Sequence, residues 1–196
     1  IEKSGIPCVH MMELAQSPEV NSVGFSQTQA AIALTEHLLQ RGRQRIAFAA
    51  AQLDPRTMQR LDGWRKAIKA AKRYDKALTY TNKSASSMAL GGQMLAEILK
   101  NDPEVDAIFF CNDDLAQGAL LAAQRLKIKV PQQLAIVGFN DLTGSDLIGP
   151  GLTTIRTPRA EIGQAAAHML LALMREEDVP TPSVDVGYEL MIRGST

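Results

Sequence analysis

Short apolar runs alternate along the chain with longer segments in which apolar residues recur every three or four positions. The longer segments predict helices at about 28–40, 56–71, 87–100, 114–126 and 158–174. The short runs predict strands at 7–11, 22–25, 45–49, 78–80, 107–111, 134–138 and 184–190. Strands that alternate with helices of this length are typical of βαβ units, so we expect an α/β protein with parallel sheets.

Three stretches have the extended, Pro- and Gly-bracketed character of passages between two lobes. They lie at 20–24, at 149–157 and near 180–183, and together they predict a three-stranded hinge. The start of the chain, Ile1–Gly5, has the pattern of a helix end that leads into a strand. We therefore expect the sequence to be a fragment of a longer protein.

Composition excludes several classes of function. Of the 196 residues, 45% are hydrophobic, and 21 Lys and Arg balance 21 Asp and Glu, so these residues lack the positive excess that favours binding to nucleic acid. Cys8 and Cys111 lie in apolar runs without metal-ligand spacing, which predicts reduced thiols in a cytoplasmic protein and no metal site. No apolar run approaches the roughly 20 residues of a membrane span.

Polar clusters follow two of the predicted strands. Asn112-Asp113-Asp114 comes after the strand at 107–111, and Asn140-Asp141 comes after the strand at 134–138. In an open α/β sheet, ligands bind outside the carboxyl ends of the strands, so Asn112 and Asn140 are candidate ligand-binding residues. The alternative is that the first cluster caps a helix and the second forms a turn.

A second candidate group suits an anion. Asp54, Arg56 and Arg60 follow a strand at the start of a helix, where free N–H groups and guanidinium groups favour a carboxylate or phosphate. Alternatively, Asp54 caps the helix and both arginines are solvated. Ser86 is either a further ligand contact or a helix cap, and Glu13 is either a contact from the other lobe or an exposed loop residue.

Catalysis is not expected. The sequence has no GxSxG elbow, no phosphate-binding glycine loop and no Cys–His framework, and its three histidines are too scattered for a metal site. We predict a non-enzymatic binding protein without a cofactor.

An ordered set of motifs covers nearly the whole chain. These are RGRQRIAF, RLDGWRKAI, the long run from DAIFFCNDDLA to AIVGFND, and LTTIRTPRAEIGQAAAHMLL. The set resembles the ligand-sensing domain of the lactose/galactose-repressor family of bacterial transcription regulators. The segments IPCVHMMEL and QLDPRT, together with CNDDLA, are further similar to the gluconate-operon repressor branch.

The resemblance implies a type I periplasmic-binding-protein fold, a homodimer, and an N-terminal helix-turn-helix domain that is absent here and would bind operator DNA. On this mapping 1–21 and 152–180 are a remnant of the N-terminal lobe, whereas 22–151 and 181–196 form the C-terminal lobe. The segments containing Leu115 and Leu147-Ile148 correspond to subunit contacts in the family.

The resemblance also assigns roles to site residues. Arg60, Asn112 and Asn140 match effector-contacting positions, and Ser26-Gln27 departs from the usual Asp-Asn, which argues against a contact there. Asn140 stands where an aspartate is commoner, and the loss of this negative charge near Arg56 and Arg60 favours a carboxylate. We therefore expect a regulator, most simply a repressor, of which the effector is a sugar or a sugar acid such as gluconate. The alternative is a periplasmic sugar-binding protein of a transporter.

Overall fold

A computed structural model describes residues 5–15, 17 and 19–196, and the chain divides into two units. The smaller unit comprises Ile1–Ser26 and Thr157–Tyr188, and the larger unit comprises Gln27–Arg156 and Glu189–Thr196. The chain therefore passes between the units three times, as predicted. The helix end expected at Ile1–Gly5 lies outside the described residues except for Gly5.

The larger unit is built on a parallel sheet. Its strands are β3 (Ile46–Ala50), β4 (Thr79–Thr81), β5 (Ala107–Phe110) and β6 (Ala135–Val137), in the order β4-β3-β5-β6. Its helices are α1 (Gln27–Gln40), α2 (Pro55–Ala70), α3 (Met88–Asn101) and α4 (Asp113–Arg125). Every residue of β3, β5 and β6 is buried, which explains why these segments are continuously apolar and do not alternate between apolar and polar residues.

The strand order places a crevice in this sheet. From β3 the chain moves to β4 on one side, and then to β5 and β6 on the other. With right-handed crossovers, α2 and α4 then lie on opposite faces, and the connections that leave β3 and β5 diverge. A ligand site at the carboxyl ends of β3 and β5 is the expected consequence of this switch in direction.

Two further strands complete the larger unit. The strand β7 (Thr154–Arg156) pairs antiparallel with β9 (Glu189–Met191), and Asn140 forms an isolated bridge to Arg156. The segment predicted as a hinge at 149–157 is therefore mostly part of this unit, because its backbone groups bond to β9 and to the end of β6.

The smaller unit has a parallel sheet of its own. It contains β1 (His10–Glu13), β2 (Ser22–Phe25) and β8 (Ser183–Asp185) in the order β1-β2-β8, and α5 (Arg159–Met174) packs on β1 and β2. Phe25 packs against Tyr188 at 5.9 Å between ring centroids. None of the helices described is long and apolar enough to cross a membrane.

The units change after Ser26, Arg156 and Tyr188, which is five, five and eight residues later than predicted. The strand Ser22–Phe25 was assigned to the larger lobe, but it hydrogen-bonds between β1 and β8 in the smaller unit. The predicted strand at 184–190 is in fact two strands, β8 and β9, one in each unit. Local apolar patterning cannot distinguish these cases, because it does not specify which sheet a strand joins.

Candidate functional site

A polar cavity of about 160 Å³ opens at the carboxyl ends of β3, β5 and β6. All its walls belong to the larger unit. Its lining residues are Ala51, Gln52, Asp54, Arg56, Thr57, Arg60, Asn112 and Asn140. Four of the six predicted site residues, Arg56, Arg60, Asn112 and Asn140, therefore lie around one space.

Arg60 is the buried cation of the cavity. Its side chain is 6% exposed, and it lies against the Phe139 ring at 3.9 Å from the guanidinium carbon to the centroid. Its Nε donates to Gln27 Oε1 at 2.9 Å, Nη1 donates to the Cys111 carbonyl at 2.6 Å, and Nη2 donates to Asn140 Oδ1 at 3.3 Å. These are neutral acceptors, so they orient the guanidinium without neutralising its charge.

Burial lowers the pKa of Arg60 to about 10, and the nearby positive charge of Arg56 acts in the same direction, whereas the negative charges of Asp54 and Asp113 act against this shift. The group still carries its charge at neutral pH. A ligand carboxylate beside Arg60 would reverse this shift, because an opposite charge favours the ionised form.

Asp54 caps α2, which was the alternative to a role in ligand binding. Its Oδ1 accepts a hydrogen bond from the Thr57 backbone N–H at 2.7 Å, and its Oδ2 lies 3.4 Å from Arg56 Nη2. Burial opposes ionisation of Asp54, but the hydrogen bonds from Thr57 and the positive charges of Arg56 and Arg60 outweigh it and lower its pKa. Arg56 itself is 42% exposed and lines the cavity from the solvent side.

Asn112 caps a helix and also lines the cavity. Its Oδ1 caps α4 by accepting from the Leu115 N–H at 3.1 Å, and it also accepts from Ser86 Oγ at 2.9 Å. The side-chain oxygen is thus used within the protein, and the amide N–H₂ is the group of Asn112 that we expect to be available to a ligand. Ser86 supports Asn112 and does not line the cavity, whereas the cap of α3 is Ser87.

Asn140 lies opposite Arg60 in an unusual conformation. Its φ is 117°, its N–H donates to the Ile155 carbonyl at 2.8 Å, and the following Asp141 has φ 51°. The carboxylate of Asp141 is directed away from Arg60, because it pairs with Arg156 Nε at 3.0 Å and with Arg193 Nη2 at 2.8 Å. Residue 140 therefore contributes an amide, and no carboxylate, to the guanidinium of Arg60.

Two residues of the site were missed or undervalued. Asp113 is fully buried beside the cavity and accepts three hydrogen bonds, although nothing in a run of three polar residues shows which one points inward. Gln27, where no contact was expected, holds Arg60 from behind and is 1% exposed. Its partner lies 33 positions along the chain, which no local pattern reveals.

The remaining predicted residues lie away from the cavity lining. Glu13 ends β1 in the smaller unit, so its role in effector binding stays a prediction. Leu115 is fully buried, and its backbone lies where α3 crosses α4, so the prediction of this side chain as an interface residue is wrong. Leu147 is 80% exposed and Ile148 is half-buried, so both are accessible to a partner. Among the described residues, no group of three or more His, Cys, Asp or Glu side chains could hold a metal ion.

Residues 35–196 match the family described as the periplasmic binding protein-like domain. The chain belongs to this family. The predicted fold, with its two parallel-sheet units and three crossings, is thereby confirmed, as is the relationship to transcription regulators of the lactose/galactose-repressor type.

Three proteins to which the chain is similar are transcription regulators by name. The chain is 53% identical over 196 residues to the HTH-type transcriptional regulator GntR of Pseudomonas aeruginosa, all of this chain matching 57% of that protein. It is 35% identical to the regulator of the same name from Escherichia coli, of which it covers 58%. The crystal structure of the transcription regulator GntR from Chromobacterium violaceum superimposes with a TM-score of 0.96 at 47% identity, covering 99% of this chain and 71% of that one.

The chain thus spans a little over half the length of the curated relatives that it matches. Each of these three relatives is named as a regulator rather than a transport protein, so the alternative of a periplasmic transport component is not favoured.

Proposed function

We propose that this chain is the effector-binding part of a transcription regulator, most simply a repressor, and that its effector is a sugar acid such as gluconate. The observation that carries the proposal is the buried guanidinium of Arg60, which is held by three neutral acceptors in a polar cavity. A buried charge is costly unless it is paired; the carboxyl groups of Asp54 and Asp113 act on Arg60 electrostatically but neither forms an ion pair with it, and a ligand carboxylate would supply a direct partner.

The charges around the cavity support an anionic ligand. Among the lining residues, Arg56 and Arg60 contribute two positive charges and Asp54 contributes one negative charge, and the buried carboxyl of Asp113 behind the lining also acts on Arg60. Asp54 pairs directly with Arg56 and caps α2, so Arg60 is the cavity guanidinium that has no direct ion pair among the described residues. A planar guanidinium also matches the two oxygens of a carboxylate, which favours an acid over a neutral sugar.

Neutral polar groups around Arg60 suit the hydroxyl groups of the same ligand. The amide N–H₂ of Asn112 donates, and Thr57 and Gln52 add further polar atoms to the lining. Hydrogen bonds of this kind give selectivity, because a ligand that lacks a matching hydroxyl leaves a polar group unpaired. Glu13 stays a proposed effector contact, and Ser86 is proposed as the residue that orients Asn112.

Regulation would require that effector binding changes the affinity of the whole protein for its operator DNA. We propose that the DNA is recognised by a segment outside this sequence, as the helix-turn-helix designation of the relatives suggests, and that the protein acts as a homodimer with Leu147 and Ile148 at the subunit contact. Coupling of about 1–3 kcal/mol between effector and operator is typical, and it is reciprocal.

Isothermal titration calorimetry tests the choice of ligand. The chain is titrated with gluconate, with other aldonates, and with glucose and sorbitol as neutral counterparts of the same length. We expect binding of at least one aldonate and a preference of about tenfold or more over its neutral counterpart, as the loss of one charge-assisted hydrogen bond predicts. Equal or tighter binding of the neutral compounds contradicts the sugar-acid assignment.

The regulatory part of the proposal needs the complete protein. Electrophoretic mobility shifts with the DNA upstream of its own gene, with and without the preferred aldonate, measure the coupling. If saturating aldonate leaves the affinity for DNA unchanged, the bound acid is not an effector.

A further inference from the structure

The backbone at the end of β6 requires support from its surroundings. Asn140 and Asp141 have φ angles of 117° and 51°, in the region that non-glycine residues seldom occupy. Two consecutive residues of this kind persist only where neighbouring groups hold them. One of the pair, Asn140, places its side-chain oxygen on Arg60.

Asp113 holds the chain on both sides of this pair. Its backbone N–H donates to the Phe139 carbonyl at 3.1 Å, immediately before Asn140. Its Oδ2 accepts from the Leu142 backbone N–H at 2.7 Å, immediately after Asp141. The two residues with positive φ are therefore spanned by hydrogen bonds to a single residue.

The second carboxylate oxygen of Asp113 extends this support to the adjacent strand. Oδ1 accepts from Thr154 Oγ1 at 2.7 Å, and the same hydroxyl accepts from the Asp141 N–H at 3.4 Å. Ser145 Oγ donates to Oδ2 at 3.1 Å. Because the carboxylate is fully buried and a Cβ at Gly138 would overlap with Oδ1, the space around it has no room for a different arrangement.

We propose that Asp113 is a positioning residue of the effector site. It does not line the cavity, but it holds Asn140 in the conformation that orients Arg60. The alternative is that Asp113 only stabilises the fold. The part of the proposal that concerns ligand affinity rests on the sugar-acid function, whereas the part that concerns the backbone of Asn140 does not.

The first test needs no ligand. In Asp113→Asn, a side-chain N–H₂ group faces hydrogen-bond donors that previously met a carboxylate oxygen. The hydrogen exchange of the backbone N–H groups of Asn140 and Leu142, measured by NMR, should therefore accelerate about tenfold or more, as loss of roughly one hydrogen bond predicts. The exchange of β3 and β5 should be unchanged. Asp146→Asn, an equal change of charge at an exposed residue of the same loop, is the control. Unchanged exchange at Asn140 and Leu142 overturns the proposal.

The second test uses gluconate and a double-mutant cycle. Asp113→Asn should weaken gluconate binding about tenfold in the wild-type background, but by less than about twofold in Asn140→Gly, because glycine adopts positive φ unaided and has no side chain to orient. Equal losses in both backgrounds show that Asp113 does not act through Asn140.

Two further controls keep these outcomes separate. If Asp113→Asn does not fold, Thr154→Val removes only the hydroxyl that bridges Asp113 and Asp141, and it should produce smaller changes of the same sign; no change overturns the proposal. If wild type binds no aldonate, the sugar-acid function fails, and the exchange measurement alone decides the role of Asp113.

Discussion

Replacing Asn140 by Asp tests the sugar-acid hypothesis with a change of one atom. One carboxylate oxygen would keep the place of Asn140 Oδ1, which now accepts from Arg60 Nη2 at 3.3 Å, and the new oxygen would replace the amide nitrogen. Two unit charges at about that separation interact by about 5 kcal/mol at an effective dielectric constant of about 20. Arg60 would then have a permanent counter-ion in the protein, and a ligand carboxylate would meet both a neutralised guanidinium and a like charge.

Much of this energy will not appear in the binding constant. The introduced carboxylate must itself lose water, and the Arg56 side of the cavity is open to solvent, which screens the repulsion. We therefore expect a loss of aldonate affinity of about 1.4–2.8 kcal/mol, which corresponds to about 10- to 100-fold. Neutral sugars should lose much less, so the selectivity for the acid should collapse.

Titration calorimetry with an aldonate and its neutral counterpart measures both quantities. Asn101→Asp is the matched control, because it adds the same charge at an exposed residue of the same unit that does not line the cavity. Circular dichroism verifies that each variant is folded. An Asn140→Asp protein that binds the acid as tightly as wild type would refute the argument that the missing charge at residue 140 creates the preference for a carboxylate.

Further predictions concern stability. Gly91→Ala should lower the free energy of unfolding, measured with urea, by about 1–3 kcal/mol, because the added Cβ would overlap the Leu115 backbone. Gly163→Ala has open space around the new Cβ, so it should be neutral or stabilising by up to about 1 kcal/mol. Equal effects of the two substitutions would contradict the close approach of α3 and α4. Burial, with a contribution from Arg41, lowers the pKa of His37 below its usual 6.5, so the unfolded chain binds the proton more readily. Stability should therefore decline as the pH falls below about 6.5 towards the folded-state pKa of His37, and this component should be absent in His37→Gln.

Most helices and strands could be predicted from the sequence because one physical signal specifies them. Buried parallel strands such as β5 are uninterrupted apolar runs, and α1 to α5 carry apolar residues at helical spacing. Capping by Asp54, and by one residue of the cluster that begins at Asn112, was recognisable as an alternative, since a capping residue and its helix are adjacent in sequence.

What could not be predicted depends on partners that are distant along the chain. The strand β2 joins β8, more than 150 positions away, and β7 joins β9. The local sequence of β2 or β7 therefore shows neither the unit to which the strand belongs nor the strand with which it pairs. The burial of Arg60 follows from Gln27 and Cys111, which meet it only after the sheet has formed. The same limit applies to Leu115, for which an apolar helix position fits an interface and a core equally well.

The arrangement at residue 140 separates the framework of the site from its selectivity. The main chain there is held by groups that do not involve its side chain: the Ile155 carbonyl accepts its N–H, and Asp113 binds the residues on either side of the pair. The side-chain oxygen, in contrast, meets Arg60. Exchanging an amide for a carboxylate at this position therefore leaves the supporting hydrogen bonds in place and changes only the charge that faces the guanidinium. We therefore expect that one side chain at this position can shift the preference of the cavity between neutral and acidic ligands, because the hydrogen bonds to Asp113 support the unusual backbone whichever of the two residues stands there.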